Sequence, residues 1–120
     1  MNVVPPAVVI DVILGNFQSL PMDPSIAVNH ISITHCGGIA QPEQFHYLWN
    51  LQLQQFITIG FRHSIFVRYS VDANGQLCEE RRVRFPANFP VGWNQHGITA
   101  NLRIIYNRAA DVIVTAYPGC

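Results

Sequence analysis

Residues 62–85 are RHSIFVRYSVDANGQLCEERRVRF, and they give the strongest indication of the fold. Two runs rich in β-branched and aromatic residues flank the short segment Ala73-Asn74-Gly75. Asn and Gly adopt the left-handed backbone that tight hairpin loops need, and strands commonly flank such a turn. The stretch therefore predicts a β-hairpin whose strands are residues 62–71 and 77–85.

Strand parity distinguishes two possible loops for this hairpin, because side chains alternate between the faces of a sheet. A three-residue loop pairs Arg68 with Glu80 and Ser64 with Arg84. A two-residue loop would instead place two arginines of the second strand among apolar side chains, where unpaired guanidinium groups are costly. We therefore predict the three-residue loop.

This register leaves two charged side chains on the apolar side of the hairpin. They are Glu79 and Arg81, which can pair with each other there. The other side chains predicted on that side are His63, Ile65, Val67, Tyr69, Val71, Leu77, Val83 and Phe85.

The C-terminal residues predict a second hairpin, in which strands 98–106 and 110–117 are joined through residues 107–109. In this register Asn101 faces Thr115, and Thr99 faces Tyr117. The apolar face carries Leu102, Ile104, Val112, Val114 and Ala116, and the apolar exceptions on the polar face are Ile105 and Ile113.

Together the hairpins predict a four-stranded antiparallel sheet with one apolar face and one polar face. The polar face is predicted to carry Arg62, Arg68, Arg82, Arg84, Arg103, Ser64, Thr99, Asn101, Thr115 and Tyr117. Two acids, Glu80 and Asp111, accompany them. One interpretation is a solvated sheet face, which is usually polar. The other is a surface that binds a phosphate backbone and stacks a base.

The first half of the chain has apolar residues at helical spacing. Proline is tolerated in a first helical turn, so Pro5-Pro6 can begin a helix, although a strand over residues 7–14 is an alternative. A second helix is predicted over residues 42–58. The sequence thus predicts a single α+β domain, in which N-terminal helices from 1–60 pack on one face of a sheet formed by 61–120.

Composition limits the possible functions. The chain has no net charge, and its seven cations are all arginine, which excludes a globally basic binder and a catalytic lysine. A hydrophobic content of 49% excludes a disordered tail. Three widely spaced cysteines predict reduced thiols rather than a disulfide framework or a zinc site. We predict no bound metal, no cofactor and no membrane span.

Histidines are the candidates for proton transfer near neutral pH. Metal-independent RNA cleavage needs a base for the 2′-hydroxyl, an acid for the leaving oxygen and donors for the charged phosphorane. His30 lies on the polar side of its segment, and His96 lies in a loop that enters the sheet. His35, His46 and His63 are predicted to be structural.

Residues 111–118, which are Asp-Val-Ile-Val-Thr-Ala-Tyr-Pro, resemble the last strand of EndoU-type ribonucleases and of the wider barnase/EndoU/colicin/RelE-like toxin group. In the EndoU branch a threonine and a tyrosine of this strand line the active site, and the resemblance assigns these places to Thr115 and Tyr117. His30-Ile31 is similar to the start of the first EndoU histidine motif, and His46 has roughly the spacing of the second. The EndoU lysine has no counterpart, so an arginine would take its place.

The resemblance implies a metal-independent ribonuclease toxin domain that leaves 2′,3′-cyclic phosphate ends. On this hypothesis His30 and His96 exchange protons, while Thr115 and Tyr117 position the phosphate and the base. The side chains expected to bind phosphate or RNA are Arg62, Arg84, Arg68, Arg103 and Asn101.

The same resemblance implies partners and a place of action. The substrate would be RNA, with tRNA as one candidate, and a cognate immunity protein would neutralise the domain. A producing bacterium would secrete or deliver it, and it would act in the cytoplasm of the target cell.

Two other functions remain open at this point. A non-enzymatic protein-binding module, of the immunity type or an oligomeric partner protein, fits the apolar content. An ADP-ribosylating toxin on a similar sheet would cleave NAD rather than RNA.

Overall fold

The computed structural model describes residues 3–15, 25–27, 31, 35–36, 43–45 and 51–119. The helices and strands are α1 Pro6–Ile13, β1 Ser25–Ile26, β2 Gln44–Phe45, α2 Leu51–His63, β3 Ile65–Val71, β4 Leu77–Arg84, β5 Gly92–Asn94, β6 Gly97–Thr99, β7 Asn101–Asn107 and β8 Val112–Pro118. Five strands form the main sheet in the order β1-β8-β7-β4-β3, and the strands β2, β5 and β6 form a small sheet.

The predicted mixture of helices and a large sheet is confirmed, but the main sheet has five strands rather than four. The additional strand, β1, has two residues and pairs in parallel with β8. The four long strands pair antiparallel, as predicted. A two-residue strand shows no alternation in sequence, so the pattern of apolar residues did not predict β1.

The first predicted helix is confirmed as α1, and the alternative of a strand over residues 7–14 is wrong. Pro6 occupies the first turn, where the missing amide hydrogen costs nothing. Val9 and Val12, on the inner side of this helix, are buried.

The second predicted helix, residues 42–58, is displaced along the chain. Strand β2 occupies part of this span, and Glu43 has a left-handed backbone with φ 68°, which is incompatible with a helix there. The helix α2 passes through Gly60 and ends at His63. A Cβ at Gly60 would lie 2.8 Å from Leu102 Cδ2, so the missing side chain lets the helix approach the sheet closely.

The first hairpin has the predicted three-residue loop. Gly75 has φ 78°, and Arg68 lies opposite Glu80. A β-bulge just before Arg68 then shifts the register, so the predicted pair of Ser64 and Arg84 is wrong. A bulge inserts one unpaired residue, which reverses the facing of every side chain beyond it.

Glu79 and Arg81 pair with each other on the inner side of the hairpin, as predicted. Arg81 Nη1 lies 2.8 Å from Glu79 Oε1, and Arg108 binds the same carboxylate. Arg81 Nε also donates to Ser64 Oγ at 2.7 Å. Ser64 therefore lies with this ion pair and not on the predicted polar face.

The second hairpin has a different register from the predicted one. Arg103 lies opposite Tyr117, and Ile105 lies opposite Thr115. The predicted pairs of Asn101 with Thr115 and of Thr99 with Tyr117 are therefore wrong. The displacement is four residues, an even number, so Thr115 and Tyr117 keep the face that parity predicted.

The loop and a bulge explain this displacement. The chain turns over residues 108–111, where Asp111 has φ 54° and the amide of Ala110 donates to Asn107 Oδ1 at 3.0 Å. A bulge near the start of β8 then turns Ile113 into the core, where it is fully buried. Asp111 lies in this loop beside Tyr106, so its predicted place on the polar face is wrong.

The contacts of α2 identify the two faces of the main sheet. Phe56 meets Phe85 edge to face at 5.9 Å between ring centroids, and Gly60 lies against Val83 and Leu102. Because side chains alternate, Arg82 and Arg84 of β4 and Arg103 of β7 project from the opposite face, whereas Arg81 lies on the α2 side with Glu79. Within the described ranges, no helix is long and apolar enough to cross a membrane.

Candidate functional site

Seven polar side chains lie together on the face of the main sheet that α2 does not contact. This set, which we name the arginine face, consists of Arg68, Arg82, Arg84, Arg103, Asn101, Thr115 and Tyr117. Its centre is a row across three strands, in which Arg82 is opposite Arg103 and Arg103 is opposite Tyr117. Directly opposite residues have Cβ atoms about 5 Å apart, so two guanidinium groups and a phenol are close neighbours.

One carboxylate compensates part of the charge of the arginine face. Glu80 lies 3.0 Å from Arg68 Nε and also binds Arg103 through its other oxygen. Arg82 and Arg84 have no carboxylate partner among the described residues. The face therefore carries an excess of positive charge on a chain that is neutral as a whole.

Four buried polar atoms of the arginine face have no hydrogen-bond partner within the part of the chain that the structure describes. They are Arg82 Nε, Arg103 Nε, Asn101 Oδ1 and Thr115 Oγ1. An unsatisfied buried polar atom costs about 1–3 kcal/mol. Such a group of atoms is expected where a bound ligand supplies the missing partners, and two adjacent Nε–H donors suit an anion.

A pocket of about 190 Å³ opens beside this row. It lies between the end of the main sheet and the small sheet. Its lining residues are Glu43, Asn94, Gln95, Arg103, Tyr117 and Gly119. The pocket thus combines one aromatic ring, one guanidinium and one carboxylate side chain.

His35 fixes the ring of Tyr117. The two rings stack with their centroids 5.4 Å apart and an interplanar angle of 27°. His35 Nδ1 is 2.8 Å from the carbonyl oxygen of Glu43, and a carbonyl only accepts, so Nδ1 carries a proton. His35 is buried, and it joins β2 to β8 by holding both Glu43 and Tyr117.

The turn between β5 and β6 is tied to the C-terminal strand by Asn94. Asn94 Nδ2 donates to the carbonyl of Gly119 at 2.9 Å, and Asn94 Oδ1 accepts from the amide of His96 at 2.8 Å. Thr99 Oγ1 donates to the same carbonyl at 3.0 Å. The turn that carries His96 is therefore fixed at the edge of the pocket.

The residues predicted from the sequence fall into three groups. Those that the structure brings together on the arginine face are Arg68, Arg84, Arg103, Asn101, Thr115 and Tyr117. His96 is exposed on the β5–β6 turn, next to the pocket but not in its lining. Arg62 lies on α2 rather than on a strand, because the helix continues past Gly60, so its predicted place on the polar face is wrong. His30 and His46 lie outside the described residues.

Sequence patterns did not single out His35, Glu43 or Asn94 as parts of this site. His35 stacks on Tyr117, and Glu43 lines the same pocket as Tyr117, although these residues are far apart in the chain. Asn94 lies close to Gly97, and Asn and Gly are residues that favour turns, which is the local signal that could have located this turn.

Metal and thiol chemistry have no assembled site in the described part of the chain. No group of three His, Cys, Asp or Glu side chains there is arranged to hold a metal ion. Cys36 and Cys78 are free and buried, as predicted, and Cys120 lies outside the described residues. Burial raises the pKa of the Cys36 thiol to about 11, which is the opposite of what a thiol nucleophile needs.

Comparison with protein-family models, with curated proteins and with solved structures finds no match to this chain. The resemblance of residues 111–118 to EndoU-type ribonucleases therefore stays a prediction.

Proposed function

We propose that this chain is a metal-independent ribonuclease domain that cleaves RNA to 2′,3′-cyclic phosphate ends. The observation that supports this function best is the row of Arg82, Arg103 and Tyr117. The Nε–H donors of both arginines have no partner among the described residues, and Arg103 and Tyr117 line the pocket of about 190 Å³. We propose that both helices lie on the other face of the sheet, which leaves the arginine face open to substrate.

Arg82 and Arg103 would bind the scissile phosphate. Guanidinium groups form paired, charge-assisted hydrogen bonds with phosphate oxygens. Glu80 holds one side of Arg103 and so restricts the orientation of that guanidinium before substrate arrives. Donors that are oriented in advance stabilise the extra charge of the phosphorane without reorganisation.

Tyr117 and Thr115 would position the nucleotide beside that phosphate. His35 holds the ring of Tyr117 by stacking, so His35 serves as a positioning residue rather than as an acid or base. The hydroxyl of Thr115, which has no partner among the described residues, is available to a phosphate oxygen or a ribose hydroxyl.

His96 and His30 would carry out the two proton transfers. One imidazole removes the proton of the 2′-hydroxyl, and the 2′-oxygen then attacks phosphorus. The bond from phosphorus to the 5′-oxygen breaks, and the other imidazole protonates that leaving oxygen. The Asn94 contacts that fix the turn of His96 at the edge of the pocket support its part in this scheme.

The biological setting of the proposal follows from the resemblance of residues 111–118 to toxin ribonucleases. The domain would be delivered by a producing bacterium into the cytoplasm of a target cell. A cognate immunity protein would then cover the arginine face with acidic side chains.

The test is incubation of the purified protein with tRNA and rRNA in EDTA, followed by gel and end-group analysis. We expect discrete fragments with cyclic phosphate ends. His96→Ala should lower the cleavage rate at least ~100-fold, the scale of lost acid–base catalysis. Tyr117→Phe keeps the stacked ring but removes the hydroxyl that helps to position the substrate, so it should also lower the rate. Tyr69→Phe, an exposed tyrosine on β3, is the matched control and should cleave as the wild type does. Intact RNA, or equal cleavage by all variants, would refute the assignment.

A protein-binding module is the second candidate function. The observation that favours it is a group of exposed apolar side chains on β3 and β4, of which Tyr69, Val71 and Leu77 are each more than 60% exposed. A stoichiometric protein complex without any RNA turnover would support this function instead.

A further inference from the structure

The outer strand β3 presents an exposed apolar edge. Phe66, Tyr69 and Val71 of β3 are 44%, 64% and 66% exposed, and the adjacent Leu77 of β4 is 61% exposed. The rings of Phe66 and Tyr69 meet edge to face at 4.8 Å. We name these four side chains the edge patch. Phe66 lies opposite Arg81, Tyr69 lies opposite Glu79, and Val71 lies opposite Leu77. All four side chains are therefore on the α2 side of the sheet, as Arg81 and Glu79 are.

The backbone of β3 also has unpaired groups. The amide of Asp72 donates to the carbonyl of Gln76 at 2.9 Å, so the even-numbered residues of this segment direct their backbone groups toward β4. The backbone N–H and C=O groups of Tyr69 and Val71 therefore point away from β4, where no described strand pairs with them. Lysine, proline and β-bulges protect exposed edge strands from further pairing. β3 has neither lysine nor proline, and its bulge precedes Arg68, so residues 68–71 form a regular edge.

The charges beside this edge are self-complementary. Arg68 and Asp72 are four residues apart, so both lie on the side of the strand opposite the edge patch. In an antiparallel pair of two β3 strands centred on Ser70, each Arg68 lies opposite the Asp72 of the other copy. Tyr69 then lies opposite Val71, which joins the two edge patches.

Other registers of the same pairing are less favourable. Centring the pair on Arg68 places two like charges directly opposite each other, which is destabilising. Centring it on Tyr69 places Arg68 opposite Ser70 and forms no charge pair. Asp72 Oδ1 accepts from the amides of Asn74 and Gln76, at 2.9 Å each, while Oδ2 has only the thiol of Cys78 at 4.0 Å. Asp72 Oδ1 thus stabilises the turn, while Oδ2 can accept a hydrogen bond from Arg68 of a second copy.

We propose that the free edge of β3 is the interface with a second copy of this chain, paired antiparallel about Ser70 with Arg68 opposite Asp72. The two main sheets then form one continuous sheet. Because the two-fold axis is perpendicular to the sheet, both arginine faces lie on the same side. The zero net charge of the chain adds no overall repulsion between copies. This inference does not depend on the proposed ribonuclease function.

The first test is the oligomeric state of the full chain by sedimentation over a range of concentrations. We expect a dimer that dissociates on dilution. Tyr69→Lys places a charge in the joined edge patch and should weaken the dimer at least ~10-fold. Ile98→Lys is the matched control, because Ile98 is 74% exposed but lies on the small sheet, and its dimer should be unchanged. A monomer at every concentration would overturn the proposal and leave the edge to a different protein.

The second test identifies the register. Asp72→Asn keeps an oxygen for the turn but removes the charge, so it should weaken the dimer several-fold and reduce its sensitivity to salt. Hydrogen exchange at the amides of Tyr69 and Val71 should slow as concentration rises, whereas the amide of Ser70, which faces β4, should be protected at all concentrations. A dimer in which the Tyr69 and Val71 amides exchange freely uses another surface and contradicts the inference.

Discussion

Protonation of Glu79 at low pH should lower the free energy of unfolding. Hydrogen bonds from Arg108 and Arg81 to this buried carboxylate hold its pKa below its ordinary value, although burial acts in the opposite direction. The folded pKa is therefore below the unfolded one. The contribution of ionised Glu79 to the free energy of unfolding is fully present above the unfolded-state pKa of about 4.3, and it is lost as the pH falls through the pKa of the folded state.

Glu79→Gln tests this contribution. At pH 7 we expect the free energy of unfolding to fall by about 1–3 kcal/mol, since charged hydrogen bonds to two arginines are lost. In chemical denaturation the difference between wild type and variant should shrink as the pH is lowered below the unfolded pKa. A difference that stays constant with pH would show that the charge of Glu79 is not its cause.

Thr115→Val separates stability from function at a single residue of the arginine face. The buried hydroxyl has no partner among the described residues, so the free energy of unfolding should stay within about 0.5 kcal/mol or rise. RNA cleavage should nevertheless fall. The control is Thr99→Val, whose hydroxyl bonds Gly119 and the amide of Asn101 and whose loss should cost about 1–2 kcal/mol. Thermal unfolding and the cleavage assay measure both effects.

At the scale of elements, Gly92 joins the small sheet to the main one. A Cβ at Gly92 would lie 2.0 Å from the carbonyl oxygen of Gln44 and 2.6 Å from Pro118 Cγ. Gly92→Ala must therefore separate β5 from β2 and β8, and overpacking of this kind costs about 1–3 kcal/mol or more. It should also disturb the pocket and lower cleavage.

Gly97→Ala is the matched control for this substitution. Gly97 has φ 113°, but a Cβ added there would have no heavy atom within 4 Å, so its replacement adds backbone strain without a steric clash. We expect the melting temperature to fall less for Gly97→Ala than for Gly92→Ala. Equal losses would mean that close approach of the two sheets is not what Gly92 provides.

At the scale of the whole molecule, the net charge is zero, so attraction to RNA depends on the positive charge that is concentrated on the arginine face. If Arg82, Arg84 and Arg103 each contact one phosphate, the logarithm of RNA affinity should fall with the logarithm of salt concentration with a slope of about −2. Arg84→Gln should reduce that slope by about 0.7. Arg62→Gln, on α2, should leave it unchanged. A slope near zero for wild type, or an equal effect of both variants, would argue against the arginine face as the RNA surface.

Part of the candidate site could be located from the sequence because strand parity is a local property. Thr115 and Tyr117 keep their predicted face in spite of the wrong register, since a displacement by four residues, an even number, preserves parity. Arg62 was predicted on a strand but lies on α2. The sequence near Gly60 does not show whether a helix ends or continues there, because the close packing of Gly60 against the sheet is a tertiary contact.

Local sequence patterns were sufficient to predict that two hairpins form, the loop of the first hairpin, the first helix and the polar character of one sheet face. These features depend on spacing and turn residues within short segments, where each side chain's environment follows from its neighbours in the chain. The two bulges, the short strands β1 and β2, and the meeting of His35, Glu43 and Tyr117 emerged only with the folded chain. Those contacts join segments far apart in the chain, and their partners are selected by packing, which no local pattern records.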